Sequence, residues 1–430
     1  MKPILQLALD FLNLNRALKV AEEAVKGGVD WLEAGTPLIK SEGLDVVRKL
    51  RETFPKKTIV ADLKIMDVGR IETEAAAKAG ADIICVLGLA SDSTIRECVE
   101  AGRNYGVKIE ADLIEVKTLD IERRAKQIEK IGVDYIGVHC AIDEQMKGKD
   151  PFLRLRKVAK AVKIPVACAG GINSESAPRA LKAGAGIVIV GGAITKAKSP
   201  EEAAGGIKKA MTTGVALKTK FFKRVSINEV YKILKNVSTP NLSDAMHRSG
   251  DLKGISAVCE GLKMIGEALT VRTYPGDWAK PVEAIDRAEP GQVIVIDAAG
   301  AGPAVWGELA THGAIQRKLS GVVIDGAVRD TSEIRKLKFP VFSRLIMPTA
   351  GEPKGFGEIG VPVTTGGVKI YSGDWIVGDD DGLVCIPRDR VVEVTNRAMG
   401  VLEQENRLRQ EIDQGSTLGK VIELLRWEKK

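Results

Sequence analysis

The residues able to handle protons or hold a metal gather in short strings. The densest is Asp62-Leu63-Lys64, with Asp67 following Ile65-Met66. In an extended strand, residues two apart point to the same side, so Asp62 and Lys64 project together and Asp67 follows in the loop. Flanking carboxylates keep such a lysine protonated and oriented. With Asp62, Glu33 offers oxygen donors for magnesium (or manganese), leaving positions for water and substrate oxygens. Asp10, Asp112 and His139 suit hydroxyl binding or proton movement, and His139 is the first choice for proton transfer. Two glycine turns, Ala169-Gly170-Gly171-Ile172 and Gly191-Gly192-Ala193, present backbone N–H groups to an anion such as phosphate. Negative charge developing on a substrate oxygen at such a set would be steadied by a divalent cation and Lys64. The same residues would also serve a salt-bridge network, plain turns and a structural histidine.

The elements needed to bring these groups together are visible. Short apolar runs at Ile4–Asp10, Trp31–Gly35, Thr58–Lys64, Asp82–Leu89, Val107–Ile114, Tyr135–Cys140, Ile164–Gly170 and Ile187–Gly192 read as strands, with helix-like stretches between them. Gly28-Val29-Asp30, Gly80-Ala81-Asp82 and Gly132-Val133-Asp134 each mark a helix stop and re-entry into a strand. Eight such βα units in about 200 residues predict a (β/α)₈ TIM barrel, whose active site lies at the carboxyl ends of the strands. The charged residues above stand at those ends. An open doubly wound sheet is the structural alternative, but no dinucleotide fingerprint follows the first strand.

Length and composition set the frame. The 430 residues suit two domains, and a net charge of +7 without a dense basic run gives no nucleic-acid stripe. Six scattered cysteines without a C-x-x-C, most in apolar runs, read as buried free thiols in a reducing compartment. No apolar stretch is long enough to cross a bilayer. The amino terminus enters a strand with no room for a signal peptide, so the expected location is cytoplasmic, with no membrane or nucleic-acid partner.

The barrel resembles the 3-hexulose-6-phosphate synthases of the orotidine-5'-phosphate decarboxylase suprafamily. The residues carrying the resemblance are Leu5-Gln6-Leu7-Ala8-Leu9-Asp10, Glu33-Ala34-Gly35-Thr36-Pro37, the Asp62–Asp67 string, Gly137-Val138-His139, Ala169–Ile172 and Val190–Thr195. The resemblance implies reversible reaction of ribulose 5-phosphate with formaldehyde through a magnesium-stabilised enediolate. It also implies a dimer in which Asp67 reaches a neighbouring subunit's site. Orotidine monophosphate decarboxylases share the Asp-x-Lys-x-x-Asp string but need no metal, and Glu33 argues against them. Keto-gulonate phosphate decarboxylases share both motifs. They often carry a phosphate-binding arginine after the eighth strand, where this chain has Gly192.

A Thr-, Gly- and Lys-rich linker is expected at residues 212–225, separating a barrel of residues 1–211 from a second domain of residues 226–430 with a charged helical tail. In the second domain Asn241-Leu242-Ser243-Asp244 reads as a helix start, and strand-like runs follow from Gly261. Gly355-Phe356-Gly357-Glu358-Ile359-Gly360 matches G-x-G-x-x-G, but Val361-Pro362 follows and no helix is expected to open there. Pro290–Asp297, Trp306–Ala310, Gly321–Asp330 and Asp379-Asp380-Asp381-Gly382 resemble the regulator of ribonuclease activity A family and its class II 4-hydroxy-4-methyl-2-oxoglutarate aldolase branch. In that branch the arginine matching Arg329 grips a 2-oxo acid, and the aspartate matching Asp330 anchors the metal through water. Gly307, Glu308, Leu309 and Ala310 supply backbone N–H groups. A non-catalytic regulatory module is the alternative, and for the whole chain a sugar-phosphate sensor. The resemblances imply a homo-oligomer of dimeric barrels and trimeric second domains.

Overall fold

The computed structural model describes residues 2–219 and 223–422. Eight strands, β1 (Ile4–Leu9), β2 (Trp31–Ala34), β3 (Thr58–Ile65), β4 (Ile83–Leu87), β5 (Lys108–Asp112), β6 (Tyr135–His139), β7 (Val166–Ala169) and β8 (Ile187–Val190), pair in sequence order. All pairings are parallel, and β8 closes the barrel on β1 through Ile4↔Ile187 to Leu7↔Val190. The intervening helices bury apolar residues three and four apart. Helix Leu14–Lys26, for example, turns Ala17, Val20, Ala21 and Ala24 inward and is capped by the Asn13 side chain. Gly80, Gly106 and Gly132 end three of the helices in left-handed conformation. This repetition holds eight strand ends at one mouth.

Regular pleating fails at one functional point. The β3–β4 register shifts between Ala61 and Ile65, and Lys64 has φ +49°. Asp62 and Lys64 are therefore not regular two-apart strand neighbours. The bulge turns the backbone and the long lysine side chain reaches back to Asp62, so the pair forms by a different geometry from the one expected.

Two compact units divide the chain. One contains the described residues up to Arg224 together with residues from Glu403 onward, and the other spans Val225–Leu402. The expectation that the C-terminal tail belongs to the second domain is thus corrected. Arg407, in the second half of helix Val391–Asp413, explains why. Its guanidinium reaches both Glu23 carboxylate oxygens at 3.3 and 3.1 Å and the Lys198 carbonyl at 3.1 Å, and pairs with Glu411 at 3.0 Å. Glu411 in turn accepts from Arg16 at 3.3 Å. A charged group as buried as Arg407 requires such complete pairing.

The expected linker is also shorter than its composition suggests. Helix Pro200–Thr213 takes its first residues. Beyond it, Leu217 N–H donates to the Ser174 carbonyl and Thr219 N–H to Glu175, so this stretch lies against the barrel. Residues 220–222 of the expected linker lie outside the described residues.

The second unit is built on a mixed sheet. Its strands are β9 (Ser256–Ala257), β10 (Met264–Arg272), β11 (Val293–Asp297), β12 (Ala304–Trp306), β13 (Gly321–Val328), β14 (Val341–Ile346), β15 (Glu358–Ile359), β16 (Val363–Thr365), β17 (Val368–Ile370), β18 (Trp375–Asp379) and β19 (Gly382–Ile386). The order is β19-β18-β10-β11-β13-β14-β9, with β12 on β13, β15 on β10 and β16–β17 as a separate hairpin. Strands β10, β11, β13 and β14 are parallel, and β13 is buried along its whole length, as the apolar run in its sequence requires. The expected helix start at Asn241 lies inside helix Thr239–Ala245, because Ser238 supplies the capping box. At the G-x-G-x-x-G match the chain forms β15, and no helix follows. Among the described residues, no helix is long and apolar enough to cross a membrane. All six cysteines are free and buried, as their apolar surroundings imply.

Candidate active site at the barrel mouth

One cavity of about 640 Å³ opens among the carboxyl ends of the barrel strands. Asp10, Glu33, Asp62, Lys64, Asp112 and His139 line it, together with Gly170, Gly171, Gly191 and Gly192. Lys64 is its electrostatic centre. Nζ donates to Asp62 Oδ2 at 2.5 Å and lies 3.5 Å from Asp112 Oδ2. Burial opposes the ammonium charge, but the two aspartates outweigh it and hold Lys64 well above its ordinary value. Thr36 Oγ1 donates to the same Asp62 oxygen at 2.8 Å. Asp112 accepts from the Ile114 N–H at 2.9 Å and faces His139 Nδ1 at 3.1 Å. Burial works against its charge, yet the His139 hydrogen bond, followed by the His139 and Lys64 charges, holds the carboxyl below its usual range.

Glu33 is the opposite case. Burial, then Asp62 and Asp10, raise its carboxyl well above the ordinary range, although Gln6 Nε2 donates to it at 2.6 Å. Asp10 faces the open cavity but is surrounded by enough protein that desolvation, then Asp62, raises it too. Gly35 permits this crowding, since a Cβ there would stand 2.3 Å from Asp10 Oδ1. Gly170, at φ +116°, passes so close to Cys140 that a Cβ would meet its backbone at 2.8 Å. That turn is reserved for glycine.

Several cavity residues escape a motif-based reading. Glu110 sits two residues before Asp112 on β5, and strand alternation would have placed it on the same interior face. It is buried, its Oε2 has no hydrogen-bond partner among the described residues, and burial followed by Asp112 and Asp62 pushes it to about 8. Gln6 interrupts an apolar strand and leaves Oε1 without a partner. Lys196, Arg224 and Gln404 also line the cavity, but carry no local signal.

Asp67 is not brought into this cavity. It lies exposed, and its carboxylate receives the Val68 N–H. In the second unit, Gly307 and Glu308 start a helix against Asp330, whose Oδ2 receives the Glu308 N–H at 3.2 Å. Arg329 Nε lies 3.4 Å from that oxygen. Leu309 follows, largely exposed, with Ala310 in the same helix. The expected cluster of Gly307, Glu308, Arg329 and Asp330 therefore assembles, in the open. His312 pairs with Glu308 at 3.4 Å rather than joining a metal set. Among the described residues, no three His, Cys, Asp or Glu side chains form a ready-made metal cage.

A closed parallel barrel that gathers its charged side chains at the carboxyl ends of the strands has the architecture of the barrel enzymes. Residues 3–207 match the family described as Orotidine 5'-phosphate decarboxylase / HUMPS family, and residues 239–385 match RraA-like: Aldolase/RraA. A 3-hexulose-6-phosphate synthase of Bacillus subtilis (strain 168) is 44% identical over 211 residues, 49% of this chain and 99% of the relative. One from Staphylococcus epidermidis (strain ATCC 12228 / FDA PCI 1200) is 42% identical over 201 residues, 46% of this chain and 94% of the relative. Through its barrel half the chain belongs to the 3-hexulose-6-phosphate synthase family, and its second unit is an RraA-like domain. A solved 3-hexulose-6-phosphate synthase structure is 38% identical, covering 49% of this chain and 100% of its own, with a TM-score of 0.46.

Proposed function

We propose that the barrel joins ribulose 5-phosphate to formaldehyde, reversibly, giving 3-hexulose 6-phosphate. The observation that carries this reading is one cavity holding Lys64 between Asp62 and Asp112, with His139 on Asp112 and glycine turns beyond. Hydrogen-bonded to Asp112 through Nδ1, His139 keeps Nε2 for the proton leaving the C1 hydroxymethyl of the ketose phosphate. The electron pair left behind spreads onto the carbonyl oxygen as an enediolate, to which Lys64 donates. The enediolate's electron pair then forms the bond from C1 to the formaldehyde carbon as the ketose carbonyl re-forms, and the formaldehyde oxygen takes the proton held on His139 to become a hydroxyl. In the cleavage direction the same steps run backward. Asp10 binds sugar hydroxyls.

The site also suits a divalent cation. Glu33 and Asp62 supply hard oxygen donors, the unpartnered Gln6 Oε1 stands beside Glu33, and the surrounding carboxylates outnumber the cations. Magnesium or manganese held by Glu33 and Asp62 would polarise the substrate oxygens. Asp67 belongs to this reading through a second barrel, since exposed Met66, Val68 and Ile71 surround it and suit a homo-oligomeric contact.

For the second unit, we infer an aldolase-like site for a 2-oxo acid. Arg329 would grip the carboxylate, Gly307–Ala310 would offer N–H groups, and Asp330 would anchor a metal through water. The decisive assay follows formaldehyde release from hexulose 6-phosphate with and without magnesium. Magnesium-dependent release is the expected result. Decarboxylation of keto-gulonate 6-phosphate in its place would move the barrel to the other reading.

A further inference from the structure

The glycine turns leave a physical question open. Backbone N–H groups at Gly170–Gly171 and Gly191–Gly192 orient an anion but carry no full charge, and a phosphate dianion in a half-buried cavity calls for cations. Two stand there, neither within a motif string of the barrel. A Cβ on Gly192 would lie 3.9 Å from Lys196 Cδ, and one on Gly171 would lie 3.9 Å from Arg224 Cγ. The two basic stems thus pass one over each glycine turn, and both side chains line the same cavity as Lys64 and His139.

We propose that Lys196 and Arg224 are the phosphate grip of the barrel site, with Glu403 of the C-terminal segment positioning Arg224. The proposal rests on the sugar-phosphate reading above and adds the residues that hold the phosphate end. Arg224 is the last residue of the barrel unit before Val225, and Glu403 is where the chain rejoins that unit. The synthase site therefore includes chain from beyond the eight βα repeats.

The state of the two cations separates this role from mere docking of the tail. Arg407 shows what docking looks like, with four contacts between 3.0 and 3.3 Å. Arg224 is different. Its guanidinium stands 4.0 Å from Glu403, Nη1 donates to the adjacent Lys223 carbonyl at a long 3.5 Å, Nε is buried without a hydrogen-bond partner among the described residues, and its side chain is 16% exposed. Lys196 Nζ makes no hydrogen bond or ion pair among the described residues. Burial, with Arg224 adding to it against Glu403, holds Lys196 below its ordinary value. Burial lowers Arg224 as well. Two crowded, under-paired cations against one carboxylate leave a local excess of positive charge at the end of the cavity beside the glycine turns. A phosphate would relieve that repulsion, and the arginine fork matches two of its oxygens. Gln404, next to Glu403, reaches the same cavity as a further donor.

The test uses the full-length chain and compares ribulose 5-phosphate with unphosphorylated ribulose by calorimetry, with inorganic phosphate as competitor. Wild type binds the phosphorylated sugar and is competed by phosphate. Arg224→Met and Lys196→Met each lower affinity for ribulose 5-phosphate and for phosphate about tenfold or more, leaving ribulose binding unmoved. In turnover assays the loss falls on KM far more than on kcat, because phosphate binding is common to ground and transition states. Glu403→Gln raises KM by a smaller factor, and Arg224→Lys recovers part of the loss, which a purely structural arginine would not show.

Unchanged phosphate affinity in both methionine variants overturns the proposal, even with the lyase activity intact. Phosphate binding lost in the variants while wild type releases no formaldehyde keeps the grip and overturns the reaction assigned to it. Thermal melts identify a variant that fails to fold. Should Arg224→Met fail, Lys196→Met decides.

Discussion

The barrel mouth and the Arg329–Asp330 corner both set a cation against a carboxylate, yet they differ in surroundings. At the mouth, the side chains of Asp62 and Lys64 are 10% and 22% exposed, and their contact is 2.5 Å. At the corner, Asp330 and Arg329 are 38% and 44% exposed, with a gap of 3.4 Å. Charges interact strongly where water is excluded and weakly where it is not. The barrel mouth is therefore an electrostatically organised, enclosed cluster, whereas the corner holds its charged pair at an exposed surface. Shared residue types do not make equal sites; enclosure separates them.

The sharpest way to break this comparison is Lys64→Ala. Turnover should fall about 100- to 1,000-fold or more in kcat, as expected for loss of a preorganised oxyanion donor, while the circular-dichroism spectrum stays that of a folded barrel and the melting temperature drops because Asp62 and Asp112 lose their partner. Retained turnover would reduce the mouth to a salt-bridge network. His139→Asn should cost about 100-fold in kcat with KM for the sugar phosphate little changed. An unaltered kcat would assign proton transfer elsewhere. Arg329→Ala addresses the other side of the comparison. It should lower magnesium-dependent pyruvate release from a 2-oxo-4-hydroxy acid by about tenfold, chiefly through KM. If wild type releases no pyruvate at all, the corner is a binding surface.

The smallest effect concerns stability. Glu110 is raised from 4.5 to about 8, so the folded chain holds its proton more tightly than the unfolded chain. That contribution is fully present below the ordinary carboxylate value and is lost as pH rises through the folded value, with a slope of at most about 1.4 kcal/mol per pH unit. Urea midpoints of wild type should thus decline between about pH 5 and about pH 8 more steeply than those of Glu110→Gln. Parallel curves would show that Glu110 does not titrate in this window.

The barrel was legible because its strands are apolar runs with charged ends, and helix stops recur at fixed places in each unit. The mouth residues followed from that placement, and Glu33, Asp62, Lys64, Asp112 and His139 do share one cavity. The bulge at Lys64 was not legible, since no glycine announces its positive φ and the pairing with β4 decides it. Glu110 was within reach of simple strand alternation. Arg224 was not, because it lies in irregular chain and gains meaning only from Glu403, far along the sequence. The tail was assigned to the second domain because its helix begins there, and only long-range pairs such as Arg407–Glu23 show where it ends up.

The order in which the chain passes between its two units has a consequence for biogenesis. Because residues 225–402 intervene between Arg224 and Glu403, vectorial synthesis delivers Arg407 to Glu23 only after the ribosome has finished the whole intervening domain. A stop codon placed near residue 400 would leave the eight barrel strands made and Glu23, on the helix after the first strand, without its guanidinium.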